Sequence, residues 1–257
     1  MNWGHLTLVA SLYIGVVVLL ALLGLYAVRR VIPHHVLAQH NDVAGFVYAT
    51  IAVTYAVILG FAVITVWEQF EEASHNADGE ANAVADLFRL AAWFPDADRV
   101  QIQQSLVDYA NSVVDDEWEA MNDGMAPSPK TAAALERLWD LYFQAGQGSI
   151  EQSNAYDDSL DRLEDLGDAR RIRLLESQEG IPGIMWVGLI AGAVLTVGFA
   201  FAFGVERWQS HALMLAILAA SVSLLLFIVW SLNHAFRGDV RIEPEPFESF
   251  LRSVPGM

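Results

Sequence analysis

Val43 to Trp67 reads VAGFVYATIAVTYAVILGFAVITVW, 25 consecutive residues without a charged side chain. A helix needs about 20 predominantly apolar residues to cross the hydrocarbon core of a bilayer, so this stretch predicts a membrane span. Working outward, charge is also missing from Leu6 to Val28, Gly180 to Val205 and Trp208 to Asn233, runs of 23, 26 and 26 residues. The first run lacks a basic flank before it and is followed by Arg29-Arg30 rather than a small-residue cleavage site, which reads as a retained anchor. Composition agrees, because 54% of the chain is hydrophobic and only 18% charged, against about a quarter charged in soluble domains. There is no cysteine, so disulfides, thiolate nucleophiles and cysteine-held metals are excluded.

The charge is not spread evenly. From Glu68 to Gly180 there are 25 acidic and 8 basic residues, which accounts for the whole net charge of −17. Such a field repels nucleic acid and attracts cations. The expected fold class is an all-α integral membrane protein: four transmembrane helices, with a helical-bundle extramembrane domain inserted between the second and third. Residues 1–67 hold spans one and two, 68–180 the acidic domain, 181–233 spans three and four, and 234–257 a C-terminal tail packing on that domain.

No turn signal follows Trp67. Phe70, Ala73, Ala77, Ala81, Val84, Phe88 and Ala91 keep helical spacing up to Pro95, so the second span is expected to continue as one long helix. A further helix is expected with Val100, Val107, Val114, Trp118 and Met121 as its apolar face, ending in the loop Asn122 to Pro127. Ser128-Pro129 reads as a cap followed by a first-turn proline. Gly146-Gln147-Gly148 separates that helix from the next, whose start has Ser149 and Gln152 in capping-box spacing, and Gly180 and Pro182 end it.

Within the second span, Thr50, Thr54, Ile58, Phe61, Thr65, Glu68 and Glu72 recur at three and four and share one face. Around an axis of several copies they would form a hydroxyl-lined vestibule, an apolar neck at Ile58 and Phe61, and rings of carboxylate, the parts from which channels build gates and filters. The alternative is packing against other helices of one subunit, with the threonines bonded to backbone. Gly45, Ala49, Ala52, Ala56 and Gly60 form a second, small-residue stripe suited to close helix packing within or between subunits. Glu68, Glu71 and Glu72 leave this span, and Arg170, Arg171 and Arg173 precede the third. The two clusters read either as ion pairs with each other or as pore-mouth charge, represented by Glu68, Glu72, Arg170 and Arg171.

His34, His35, His40 and Asp42 read as surface residues of a short loop, and Asp115, Asp116, Glu117, Glu119 and Asp123 lack the spacing of a calcium loop. No metal or cofactor is expected. No GxSxG, HExxH or phosphate-binding glycine loop occurs, so no catalytic residue is assigned and no enzyme is expected. Arg170, Arg171, Arg173, Arg237, Arg241 and Arg252 outnumber Arg29, Arg30 and Arg207, which places the domain and both termini in the cytoplasm. The Arg29-Arg30 pair argues for the opposite orientation of the first helix.

Several stretches resemble the bacterial bestrophin-like family: His40-Asn41-Asp42, Trp67-Glu68, Glu80-Ala81-Asn82, Asp86-Leu87, Glu117-Trp118, Asp168-Ala169-Arg170-Arg171, Gly198-Phe199, Phe203-Gly204, Phe236-Arg237-Gly238 and Pro244 to Phe247. The resemblance implies a pentameric channel with four spans per subunit and the second helix lining the pore. It also implies usual selectivity for anions, an apolar neck at Ile58 and Phe61, and a cytosolic domain. Five copies of so acidic a chain depart from the anion expectation. The function expected is therefore a homo-oligomeric channel for inorganic ions in a lipid bilayer; the alternative is a non-conducting, membrane-anchored sensing or interaction protein.

Overall fold

The computed structural model describes residues 3–145 and 150–254. Its order is α1 (Trp3–Val31), α2 (His34–Ala38), α3 (Asn41–Leu90), α4 (Asp96–Ser112), α5 (Trp118–Asn122), α6 (Pro129–Ala145), α7 (Ile150–Glu176), α8 (Gly183–Phe199), α9 (Trp208–Leu232) and α10 (Glu245–Ser253). A wide π turn, Val113–Glu117, joins α4 to α5. Among the described residues all regular structure is helical. Four helical stretches are long and apolar enough to cross a membrane: Trp3–Val31, Asn41–Trp93, Gly183–Ala202 and Trp208–Leu232. The loop expected around His34 and His35 is instead the short helix α2.

The 50 residues of α3 correspond to a rod of about 75 Å. No proline interrupts it; a 3₁₀ turn at Ala91–Trp93 and then Pro95 end it. The chain divides into two compact units, Met1–Glu68 with Gly180–Asn233, and Gln69–Glu179 with His234–Met257.

In the first unit, Tyr55, Leu59, Ala62 and Val66 of α3 bury against Leu189 of α8 and Leu226 and Val229 of α9. Ala21 and Leu25 of α1 pack on Leu215 and Ala219. Close approach is made at glycines: a Cβ on Gly192 would sit 2.3 Å from the Tyr55 ring, and one on Gly204 would sit 2.1 Å from the Ala38 backbone nitrogen. Asn41 clasps Gly204 from both sides, its Nδ2 donating to the Gly204 carbonyl at 3.1 Å and its Oδ1 accepting from the Gly204 N–H at 2.9 Å. Backbone cannot rotate aside as a side chain can. Gly204→Ala is therefore expected to cost about 1–3 kcal/mol, read as a lowered melting temperature of the detergent-purified protein.

In the second unit, Ala73, Ala77, Val84 and Leu87 of α3 form a core with Ile102, Leu106, Val113, Leu138, Leu163 and Leu166. Tail residues Phe236, Phe247 and Phe250 complete it. Trp118 donates its indole N–H to the Ile242 carbonyl at 3.0 Å and meets the Phe236 and Phe247 rings edge-on. The Thr131 N–H bonds Ser128 Oγ at 3.4 Å, so Ser128 caps α6. The separator at Gly146-Gln147-Gly148 and the cap expected from Ser149 lie outside the described residues. α7 stops at Glu176, ahead of the expected Gly180.

Of the expected apolar face, Val107, Trp118 and Met121 are buried and Val114 packs on the core, but Val100 is 61% exposed; the buried face of α4 also takes in Ile102, Leu106, Tyr109 and Ala110.

Candidate functional site

The polar stripe of α3 is uncovered. Thr50, Thr54, Glu68 and Glu72 are exposed, Thr65 is half-buried, and Ile58 and Phe61 are 48% and 66% exposed. Packing within the chain does not account for this face, although two of its hydroxyls bond to backbone as that alternative required. Thr50 Oγ1 donates to the Phe46 carbonyl at 3.1 Å and Thr54 Oγ1 to the Thr50 carbonyl at 2.9 Å. The small-residue stripe is also free, since a Cβ at Gly45 or Gly60 would meet nothing within 4 Å. At about 100° per residue, the buried, small and polar stripes centre roughly 90–150° apart around the helix. The chain thus buries one sector of α3 and leaves two chemically distinct sectors open.

A second constellation lies in the second unit and was not foreseen. Glu80, Glu117 and Arg173 are fully buried. Arg173 Nε and Nη2 donate to Glu80 Oε2 and Oε1 at 2.5 and 2.9 Å, and Nη2 also donates to Glu117 Oε2 at 2.8 Å. Arg170 closes the other side of Glu117, with Nη2 to Oε1 at 2.6 Å and Nε to Oε2 at 3.1 Å. Tyr109 donates its hydroxyl to Glu80 Oε1 at 2.7 Å, and Arg173 lies 5.1 Å from the centroid of the Trp118 ring. Two carboxylates and two guanidinium groups balance, and fork-to-carboxylate pairing suits arginine geometry.

Burial alone would pull the Arg173 guanidinium down, but Glu80, by charge and hydrogen bond, and then Glu117 outweigh it and raise it. Burial first, then the charge of Glu80, pushes the Tyr109 phenol well up, so it stays a neutral donor. The clue was present in the sequence. Glu80 falls in the three-and-four spacing of Ala73, Ala77, Val84 and Leu87, and Arg170 and Arg173 follow Leu163 and Leu166 in the same way. Charges at core positions of two helices need each other.

The arginines before the third span therefore find partners other than Glu68, Glu71 and Glu72. Arg171 pairs with Asp168 at 3.0 Å on the surface. Glu72 instead contributes repulsion to Glu176, which takes a hydrogen bond from Asn76 Nδ2 on Oε1 at 2.6 Å while its Oε2 is buried without a partner. Glu176 is raised by burial, lowered by Asn76, and raised again by the charges of Glu72 and Glu179. A raised carboxyl stabilises the fold fully below its unfolded value near 4.5, and that contribution is lost as pH rises through the folded value. Glu176→Gln should then raise the melting temperature at pH 7.5 by about 1 °C, a shift kept small by the partial exposure of the group. The gain should vanish as pH approaches 4.5 in a pH series of thermal melts.

Among the described residues, no group of three or more His, Asp or Glu side chains is placed to hold a metal ion. A family model described as the Bestrophin-like domain matches residues 15–247. The chain belongs to the Bestrophin-like family. Crystal structures of a bacterial bestrophin homologue from Klebsiella pneumoniae share the fold of this bestrophin-like chain. One point variant matches with a TM-score of 0.72 at 13% identity, covering 93% of this chain and 98% of that one. A second matches at 0.70 and 14% identity, over 92% and 95%. No curated protein matches the chain. The stretches that carried the resemblance meet in space within each unit: Asn41 with Gly204 in the first, and Glu80, Glu117, Trp118, Arg170 and Phe236 in the second. The bestrophin-like chain is accordingly a multi-span membrane protein.

Proposed function

We propose that this chain is the subunit of a homo-oligomeric ion channel in the bacterial inner membrane, with α3 lining the pore. The observation that carries this reading is the uncovered stripe on α3, running hydroxyl, apolar, carboxylate at membrane depth and just beyond. Exposed threonines and carboxylates have a use there if water fills an axis shared between copies. Thr50, Thr54 and Thr65 line the wider pore, Ile58 and Phe61 form its neck, and Glu68 and Glu72 carry charge at its mouth. The open small-residue stripe gives neighbouring copies a close-packing surface.

Arg171, Arg237, Arg241 and Arg252 support a cytoplasmic position for the acidic helical domain between the second and third spans, Arg170 and Arg173 being occupied with buried carboxylates. The −17 charge of that domain raises local cation concentration and favours cations over anions. The mass of the detergent complex and currents from purified protein in planar bilayers test the reading together. A multiple of the subunit mass and a reversal potential that follows the cation gradient are expected. A monomer, or no current in either ion gradient, would leave a membrane-anchored sensing protein as the better account.

A further inference from the structure

The start of α9 holds two buried polar atoms with nothing to bond. His211 is 4% exposed. Its Nε2 lies 3.1 Å from the Ala200 carbonyl, which can only accept, so Nε2 carries the proton and the neutral ring presents Nδ1 as an acceptor. That Nδ1 is buried and unpartnered, and so is Nη1 of Arg29. Arg29 reaches this place from the end of α1. Its Nη2 donates to the Glu206 backbone carbonyl at 3.2 Å, and its guanidinium lies 5.7 Å from the Trp208 ring centroid. Trp208 stands one turn ahead of His211 on the same face of α9. Among the described residues Arg29 forms no ion pair. The first helical bond of α9 runs from the His211 N–H to the Arg207 carbonyl, so the preceding amides also lack intrahelical acceptors.

His211 forms part of the wall of a cavity of about 280 Å³ that is otherwise almost wholly apolar, lined by Tyr48, Phe203, Val205, Met214 and Leu218 among others. That volume lies at the lower edge of the roughly 300–1,000 Å³ typical of ligand pockets, and suits a length of hydrocarbon chain. Met214 is 54% exposed on a helix long and apolar enough to cross a membrane, so one wall of the cavity lies on the outer surface of that helix. The site combines an uncompensated cation, helix-terminal amides, one hydrogen-bond acceptor and an apolar slot. Basic pockets between spans select anionic headgroups, and helix N-termini bind phosphate.

We infer that this site binds an anionic phospholipid whose headgroup carries a hydroxyl. The phosphate sits on Arg29 and the first turn of α9, the hydroxyl donates to His211 Nδ1, and one acyl chain enters the cavity. The inference is independent of conduction, because every group named belongs to one subunit and no current enters its test.

Native mass spectrometry of the purified full chain, titrated with phosphatidylglycerol, phosphatidylethanol and phosphatidylcholine, provides that test. Phosphatidylglycerol is expected to bind at least tenfold more tightly than phosphatidylcholine. Phosphatidylethanol, with the same charge and no headgroup hydroxyl, should fall between them, and His211→Leu should remove its disadvantage. Arg29→Gln is expected to weaken phosphatidylglycerol at least tenfold and leave phosphatidylcholine unchanged. Leu218→Trp, which fills the slot and spares the headgroup contacts, should exclude the lipid even if Arg29→Gln fails to fold. Equal binding of the three lipids, or retention undiminished in Leu218→Trp, would overturn the inference. So would protection against thermal unfolding by glycerol phosphate alone as strong as that by phosphatidylglycerol, since the ligand would then be a soluble anion.

Discussion

Arg173→Leu is expected to cost about 3–5 kcal/mol, the usual penalty for removing one member of a buried ion pair. Against a total stability of about 5–15 kcal/mol, this is a large fraction of what holds the domain folded. The reason is the company Arg173 keeps: with it gone, Glu80 retains only the Tyr109 hydroxyl, and both carboxylates remain buried among apolar groups. Thermal unfolding in detergent should show a large fall in melting temperature. Arg173→Lys should lose less, keeping the charge and giving up the fork. The informative variant is Glu80→Met combined with Arg173→Leu. It leaves the Glu117–Arg170 pair balanced and should recover most of the loss, because replacing both members of a buried pair by apolar groups is often close to neutral. If the double variant melts no higher than Arg173→Leu alone, charge balance is not what holds this core.

Phe61→Ala is expected to raise single-channel conductance several-fold with almost no change in melting temperature. The two effects separate because Phe61 is 66% exposed and contributes little to the subunit core, whereas an apolar constriction limits flow by its width and by excluding water. Ile58→Thr should act in the same direction by wetting the next turn. Planar-bilayer recordings read the conductance directly. An unchanged conductance in both variants, alongside a working wild-type channel, would move the pore away from this face of α3.

The long helix α3 was legible because two signals agree along it: an uncharged run to Trp67, then Ala73, Ala77, Ala81, Val84 and Ala91 at helical spacing without a breaker. The buried charge cluster was not read. In a segment so acidic, Glu80 and Glu117 resemble the solvated carboxylates around them, and hydrophobic periodicity treats every charge as surface. Only the coincidence of Glu80 with the apolar stripe distinguished it. Arg170 and Arg171 flank a span as Glu68 and Glu72 do, which leaves mutual pairing open as one reading, but pairing follows approach in space, and Arg170 meets a residue 53 positions away in sequence. The stripes of α3 are legible as faces but not in their use, since spacing identifies a face and burial decides whether that face is occupied.

The wide turn at Val113–Glu117 also governs how the chain can vary in length. A π turn is an ordinary helix that has taken in one residue without moving its flanks. Removing a solvent-facing member such as Asp115 would convert it to regular helix and keep Trp118 and Met121 over the core. Removing a residue from the uninterrupted helix at Ile102 to Tyr109 has no such slack, and would rotate everything beyond it by about 100°. A single-residue deletion in this stretch is thus expected to be tolerated only at a few positions, beside the most demanding contacts of the domain.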